Sequence, residues 1–252
     1  YIDRAGGGAS TAALGDTIMI ETFGNGYNGD GTNGAWTNNG STSSAIWEYR
    51  GTSTTPNNTV GSRGAYAGTG GGPIASPTVS NGFMIFDSDY LDNGGTAGAF
   101  GQGPAATPHN GELLSPVIDL STYPEVIMQM NVKYRRFVGD LFVVFDDGSG
   151  NWLDSVQVFG EALGTPTNSP HTDDVVSVYV SNYIGGISTA RFKLFFDGTT
   201  THGNPNGSGY YYAQVDDILL IEAPDNDLVM DQQYIHTSVD TGNKRYYTEI
   251  PY

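Results

Sequence analysis

Residues 125–159 decide how this chain is read. EVIMQMNVKY (Glu125–Tyr134) places apolar side chains at Val126, Met128, Met130 and Val132, with Gln129, Asn131 and Lys133 between them. A period of two marks a strand with one buried face. LFVVF (Leu141–Phe145), the turn DDGSGNW (Asp146–Trp152) and Leu153–Phe159 follow as a hairpin, with Gly148 and Gly150 supplying the positive φ of a tight turn. Outward from this hairpin, further strands are expected at TIMIETF (Thr17–Phe23), FMIF (Phe83–Phe86), Leu113–Leu120, Val175–Val180, Ala190–Phe196 and Tyr210–Ile221. No window carries a helical stripe at i, i+3, i+4 and i+7. The expected fold is all-β: an antiparallel β-sandwich with long Gly/Asn-rich loops.

Composition narrows the function. Ten Lys and Arg against 27 Asp and Glu give a net charge of −17. Such a chain lacks the cations that displace counterions from nucleic-acid phosphates, and it is repelled by an anionic membrane leaflet. With 38% hydrophobic and 12% aromatic residues it can nevertheless bury a core. Gly supplies 36 of 252 residues, about twice the usual ~7%, which favours turns over long helices. Cys is absent, so core area or a metal must replace disulfides. No run of about 18 apolar residues is present to insert into a membrane.

The organisation expected is a lead segment over 1–16, a sandwich over 17–223, and a linker over 224–252 that opens a following module. A tail that packs back on the sandwich is the alternative. The chain starts at Tyr1 without a signal-peptide pattern and stops at Tyr252 in mid-pattern, so it reads as a piece of a longer protein. Between Gly24 and Gly82, runs such as GNGYNGDGTNG and GTGGGP are turn chemistry, interrupted only by AIWEY (Ala45–Tyr49). Loops of that length tend to be functional or mobile.

The order of TIMIETF, Trp36, FMIFDSDYLDN, ELLSPVIDLSTYPEVIMQMNVKY, VVFDDGSGNW, ARFKLFF and YYYAQVDDILLIEA resembles the MAM-like and cleaved-adhesin jelly rolls. These occur in large secreted surface proteins of gliding and type IX-secreting bacteria. The resemblance spans roughly Thr17 to Glu222, and its most specific pieces are LLSPVIDLS, DDGSGNW and VDDI. It implies a concanavalin-like sandwich, often with calcium, used for adhesion or glycan binding. The Gly24–Gly82 insert departs from the family pattern.

Acidic residues form the main chemical constellation. Glu21 lies in the first strand, Asp87, Asp89 and Asp92 follow FMIF, and Asp216 and Asp217 enter the last strand. First and last strands of a jelly roll are commonly neighbours, so these groups are expected to converge. Carboxylates within about 5 Å repel by roughly 3 kcal/mol per pair at an effective dielectric near 20. A Ca²⁺ ion, which takes oxygen ligands, would relieve that repulsion. The expected ligands are Glu21, Asp87 and Asp217, with Asp89 next. A solvated turn at DSDYLDNGG and a plain strand edge at VDDI are the alternative. Trp36, Trp47, Tyr49 and Tyr66 are candidates for stacking against the apolar faces of sugar rings, with core packing as the rival fate of the tryptophans.

Enzymatic readings fare poorly. Asp87 and Asp89 have i, i+2 spacing but no Glu beside them, which weakens a glycosidase pair. A Ser elbow leading into a helix is missing, and His109, His171, His202 and His236 are too scattered for zinc. The reading reached is a non-catalytic, calcium-stabilised adhesion module of a larger secreted cell-surface protein. Its partners would be a surface glycan or protein and the neighbouring modules of the same chain. A carbohydrate-binding module serving an attached hydrolase or protease, or a subunit of a surface filament, is the alternative.

Overall fold

The structure, a computed structural model, describes residues 15–30, 34–105, 108–146, 148–159, 169–199 and 209–223. The expected lead segment (apart from Gly15 and Asp16), linker and following module lie outside them, as do His202 and His236. Eleven strands are seen among the described residues: β1 Thr17–Glu21, β2 Thr37–Gly40, β3 Glu48–Tyr49, β4 Met84–Phe86, β5 Asn110–Leu114, β6 Val126–Arg136, β7 Asp140–Asp146, β8 Trp152–Gln157, β9 Thr172–Tyr179, β10 Arg191–Asp197 and β11 Tyr211–Glu222. Two short α-helices, α1 (Ser88–Asn93) and α2 (Ser181–Ile184), and a 3-10 helix at Gly26–Asn28 complete them.

The strands form two antiparallel sheets, so the expected β-sandwich is the fold. Sheet A runs β3-β4-β11-β6-β9, with β1 also pairing to β11, and sheet B runs β2-β5-β10-β7-β8. The alternation read from sequence sets the core. Met128, Met130 and Val132 of β6 meet Leu141, Val143 and Phe145 of β7 and Phe192, Leu194 and Phe196 of β10, all buried in one cluster. Outward positions of β10 (Arg191, Lys193, Phe195) are only partly buried, as a one-sided sheet requires.

Four local expectations change. DSDYLDNGG is not a turn but the helix α1, entered through Asp87 and closed by Gly94 in the left-handed conformation (φ 61°). The strand expected over Leu113–Leu120 ends at Leu114; Ser115 N still donates to the Phe192 carbonyl (2.9 Å), Pro116 has no N–H to continue the ladder, and pairing resumes as a single bridge between Ile118 and Ala190. β9 begins three residues earlier than expected, pairing Thr172 with Tyr134. Finally, the Gly24–Gly82 insert is structured where described: it contributes β2 to sheet B and β3 to sheet A.

The rest of the insert covers the outer face of sheet A. Ile74 and Ala67 pack with Phe83, Ile85, Tyr211 and Tyr212 in a second apolar cluster. Gln214 donates to the Gly72 carbonyl (3.0 Å), and Ser76 Oγ donates to the buried Asp216. Gly61 shows why this layer is rich in glycine: a Cβ there would sit 2.2 Å from the Gly71 carbonyl oxygen.

A bulge in β11 changes which residues face the core. Asp216 opposes Asn131 and Leu219 opposes Gln129, so Asp217 and Ile218 together stand across from Met130. Asp217 takes φ 47° to make the step. Ala213 and Val215 are buried before it, and Ile218 and Leu220 after it. Without the extra residue, every apolar side chain beyond it would turn to the wrong face.

Candidate functional site

The expected metal ligands are not gathered at one point. Glu21 is buried, and its carboxylate accepts from Phe23 N (2.8 Å), Asp30 N (3.1 Å) and Trp36 Nε1 (2.7 Å). It thereby folds the loop after β1 upon itself. Burial raises its pKa. Asp87 sits instead among Ser62 Oγ (2.5 Å), Arg63 N (2.8 Å) and the buried Arg50 guanidinium (3.5 Å), its pKa pushed up to about 6 by burial. Asp217 accepts from Thr78 Oγ1 (2.7 Å), and Asp89 from Tyr66 N (2.6 Å) and Asn93 Nδ2 (2.5 Å).

Register explains the separation. Glu21 opposes Ile218, whereas Phe86, the neighbour of Asp87, opposes Ala213 five positions away on the same strand. At about 3.3 Å per residue that is on the order of 16 Å. Glu21 and Asp217 lie near each other in the sheet, and Asp87 and Asp89 both meet the loop Ser62–Tyr66, but each carboxylate is met by protein donors of its own. Among the described residues, no group of three or more His, Asp or Glu is placed to hold a metal ion.

The expected aromatic platform divides. Trp36 and Trp47 are core residues, so neither presents a face to a ligand. Trp36 packs on Phe23 (5.3 Å) and edge-on to Phe192 (5.6 Å), and Trp47 donates through Nε1 to the Gly111 carbonyl (3.2 Å). Tyr49 is half-buried, its hydroxyl donating to the Asn81 carbonyl (3.0 Å). Tyr66 alone of the four is exposed, at 38%.

Tyr66 forms one wall of a cleft of about 560 Å³ lined by Tyr66, Asp89, Phe100, Phe137, Tyr210 and Tyr211. Different loops deliver these side chains. Tyr66 comes from the insert, Phe100 from the loop after α1, Phe137 from the β6–β7 turn, and the two tyrosines from the entry to β11. Tyr66 and Phe100 stack with rings nearly parallel (3°) and centroids 5.4 Å apart, and Phe100 keeps 56% of its surface exposed. Phe137 stands edge-on to Tyr211 (5.6 Å), and Tyr210 bridges Phe137 (5.6 Å) and Phe100 (6.2 Å).

The walls are fixed from behind. The Tyr66 hydroxyl accepts from Gly98 N (2.7 Å), its backbone N–H is held by Asp89, and its carbonyl accepts from Arg135 Nη1 (2.9 Å). Gly209, Tyr210 and Tyr211 follow one another at φ 107°, 67° and 57°. For the two tyrosines the left-handed region costs on the order of 1–2 kcal/mol each. Strain of that kind concentrates where a chain must aim side chains at a ligand. The floor is Asp89, 1% exposed, with its pKa raised by burial.

Phe100, Phe137, Tyr210 and Tyr211 were not among the sequence candidates. Phe100 carried a usable signal: a large apolar ring isolated within AGAFGQG has no strand to bury it. The YYY run masked Tyr210 and Tyr211, because alternation assigns such residues to strand faces and is blind to two successive positive φ values.

A β-sandwich with an aromatic cleft opening among its loops is thus the class of molecule defined here. No known family model matches the chain, and no curated protein does. Solved structures with a similar fold include TmCBM61 in complex with β-1,4-galactotriose, at 11% identity and TM-score 0.43, covering 80% of this chain and 94% of that one. The K1 cleaved adhesin domain of Lys-gingipain from Porphyromonas gingivalis W83 is similar at 13% identity and TM-score 0.42, covering 82% and 98%. The K3 cleaved adhesin domain of the same protein stands at 13% and 0.41, covering 81% and 98%. The functional reading below rests on the cleft itself.

Proposed function

We propose that this domain is a non-catalytic binding module that seats a glycan in the Tyr66–Phe100 cleft, acting as an adhesion module of a larger secreted or surface protein. One observation carries the reading: a stacked, exposed aromatic pair stands over a buried carboxylate in a concave site. Pyranose rings offer apolar C–H faces to such a wall, while a carboxylate accepts from their hydroxyls. A mostly apolar pocket with a few placed polar groups is the usual form of a small-ligand site.

The same cleft argues against hydrolysis. Glycoside cleavage needs two carboxyl groups flanking the bond. Among the described lining residues Asp89 is the one acid, so the second carboxyl group is missing from them.

Screening the domain on a glycan array, followed by calorimetric titration of the best ligand, tests the proposal. Phe100→Ala is expected to weaken binding about tenfold, the upper range for one aromatic contact. Unchanged affinity in both Phe100→Ala and Tyr66→Ala would place the site elsewhere.

A further inference from the structure

The lining of the cleft also bears on which glycans it accepts. Five of its six described lining residues are aromatic, Asp89 is the sixth, and no Lys or Arg is among them. Aromatic faces carry negative potential, so an array of rings around a carboxylate favours a cation over a neutral group of equal size. The Tyr211 face is taken by a cation of the fold, the Arg135 guanidinium 4.2 Å from its centroid, so a ligand cation would meet the other rings and Asp89. The net charge of −17 adds a field of the same sign and repels uronic or sialic acids.

Building on the glycan reading, we infer that the cleft selects a glycan bearing an unsubstituted amino group, whose ammonium lies against the rings and Asp89 while the sugar face rests on Phe100. An N-acetylated sugar keeps the ring face but loses the charge. A neutral hexose loses both the charge and the amine hydrogen bonds. Acidic glycans meet Asp89 and are refused.

Three β-1,4-linked trimers of matched length provide the test: glucosamine with free amines, its N-acetylated counterpart, and glucose. They are titrated at about 150 mM salt, where charges beyond roughly 8 Å are screened. The amine trimer is expected to bind at least about tenfold more tightly than the other two. Asp89→Asn should reduce that preference below about threefold, and Phe100→Ala should reduce it as well.

Three results overturn the inference, and they are distinguishable. Equal binding of all three trimers removes the amine while leaving the glycan reading intact. Binding of none removes both. A preference that persists undiminished in Phe100→Ala is long-range attraction to an acidic protein and not recognition in the cleft. Because Asp89 also holds the Tyr66 backbone, its variant is checked by thermal melting. A second measurement needs no variant: choline should displace the bound amine trimer, whereas its uncharged isostere 3,3-dimethylbutanol should not. Equal displacement by the two also overturns the inference.

Discussion

Two groups of aromatic residues in this molecule stand in opposite relations to water. Trp36 and Trp47 are enclosed between the sheets, each with its indole N–H satisfied, by Glu21 and by the Gly111 carbonyl. Tyr66 and Phe100 stack on each other in loops and remain exposed. The tryptophans come from segments that join the sheets: β2 begins directly after Trp36, and β3 directly after Trp47. Tyr66 and Phe100 come from glycine-rich loops with no strand partner. The chain neighbourhood, more than the ring type, decides whether an aromatic residue is enclosed in the core or left at the surface.

The contrast is sharpened by substitution, beginning with the largest effect. Trp47→Ala removes a fully buried indole packed on Phe86 (5.9 Å) and should cost about 3–5 kcal/mol in urea unfolding. A loss below about 1 kcal/mol would mean that the core does not depend on it. Glu21→Gln replaces an acceptor of three N–H bonds with a group that must also donate, and should cost about 1–3 kcal/mol by the same measurement.

At the cleft the expectations invert. Because Tyr210 sits at φ 67°, Tyr210→Gly should be about 1 kcal/mol more stable than Tyr210→Ala, a difference that vanishes if the residue is unstrained in solution. Stability of Phe100→Ala should lie within about 0.5 kcal/mol of the parent chain, since so much of the ring is already in water.

The buried group also contains a titrating member. His109, fully buried, stands edge-on to Phe86 (5.6 Å), and burial lowers its pKa from 6.5. As pH falls, the unfolded chain takes up the proton first. The stability tied to neutral His109 is therefore complete above 6.5 and drains away below it. Urea unfolding between pH 7.5 and 5 should show the parent chain losing stability relative to His109→Gln; parallel slopes would show that the ring is not held neutral.

Much of the architecture was legible in sequence. The period-two run of β6 gave strand, face and core together, because burial on one side imposes that pattern directly, while β7 and β10 were legible as strands. β2 was not legible: TNNG has no alternation of its own and is a strand only because β5 lies beside it. The helix α1 is too short to show a stripe.

The site was less visible. The bulge in β11, which chain order does not reveal, places Asp216 under Ser76 and Asp217 beside Thr78. Glu21, Asp87 and Asp89 share acidity and little else, since chain order says nothing of which donors each will meet. Tyr66 was found by residue type. Its partners were not, because they converge from separate loops.

β9 is the outermost strand of sheet A among the described residues, and one of its edges has no described strand beside it. Val175 is 54% exposed there, within the β-prone run VVSVY, which on a bare edge invites another chain to add itself. Asp174 precedes that run directly, and a carboxylate at the mouth of an open ladder makes an incoming copy pay a desolvation and repulsion penalty. The acidity of this chain therefore also works against edge-to-edge addition of a second copy at β9.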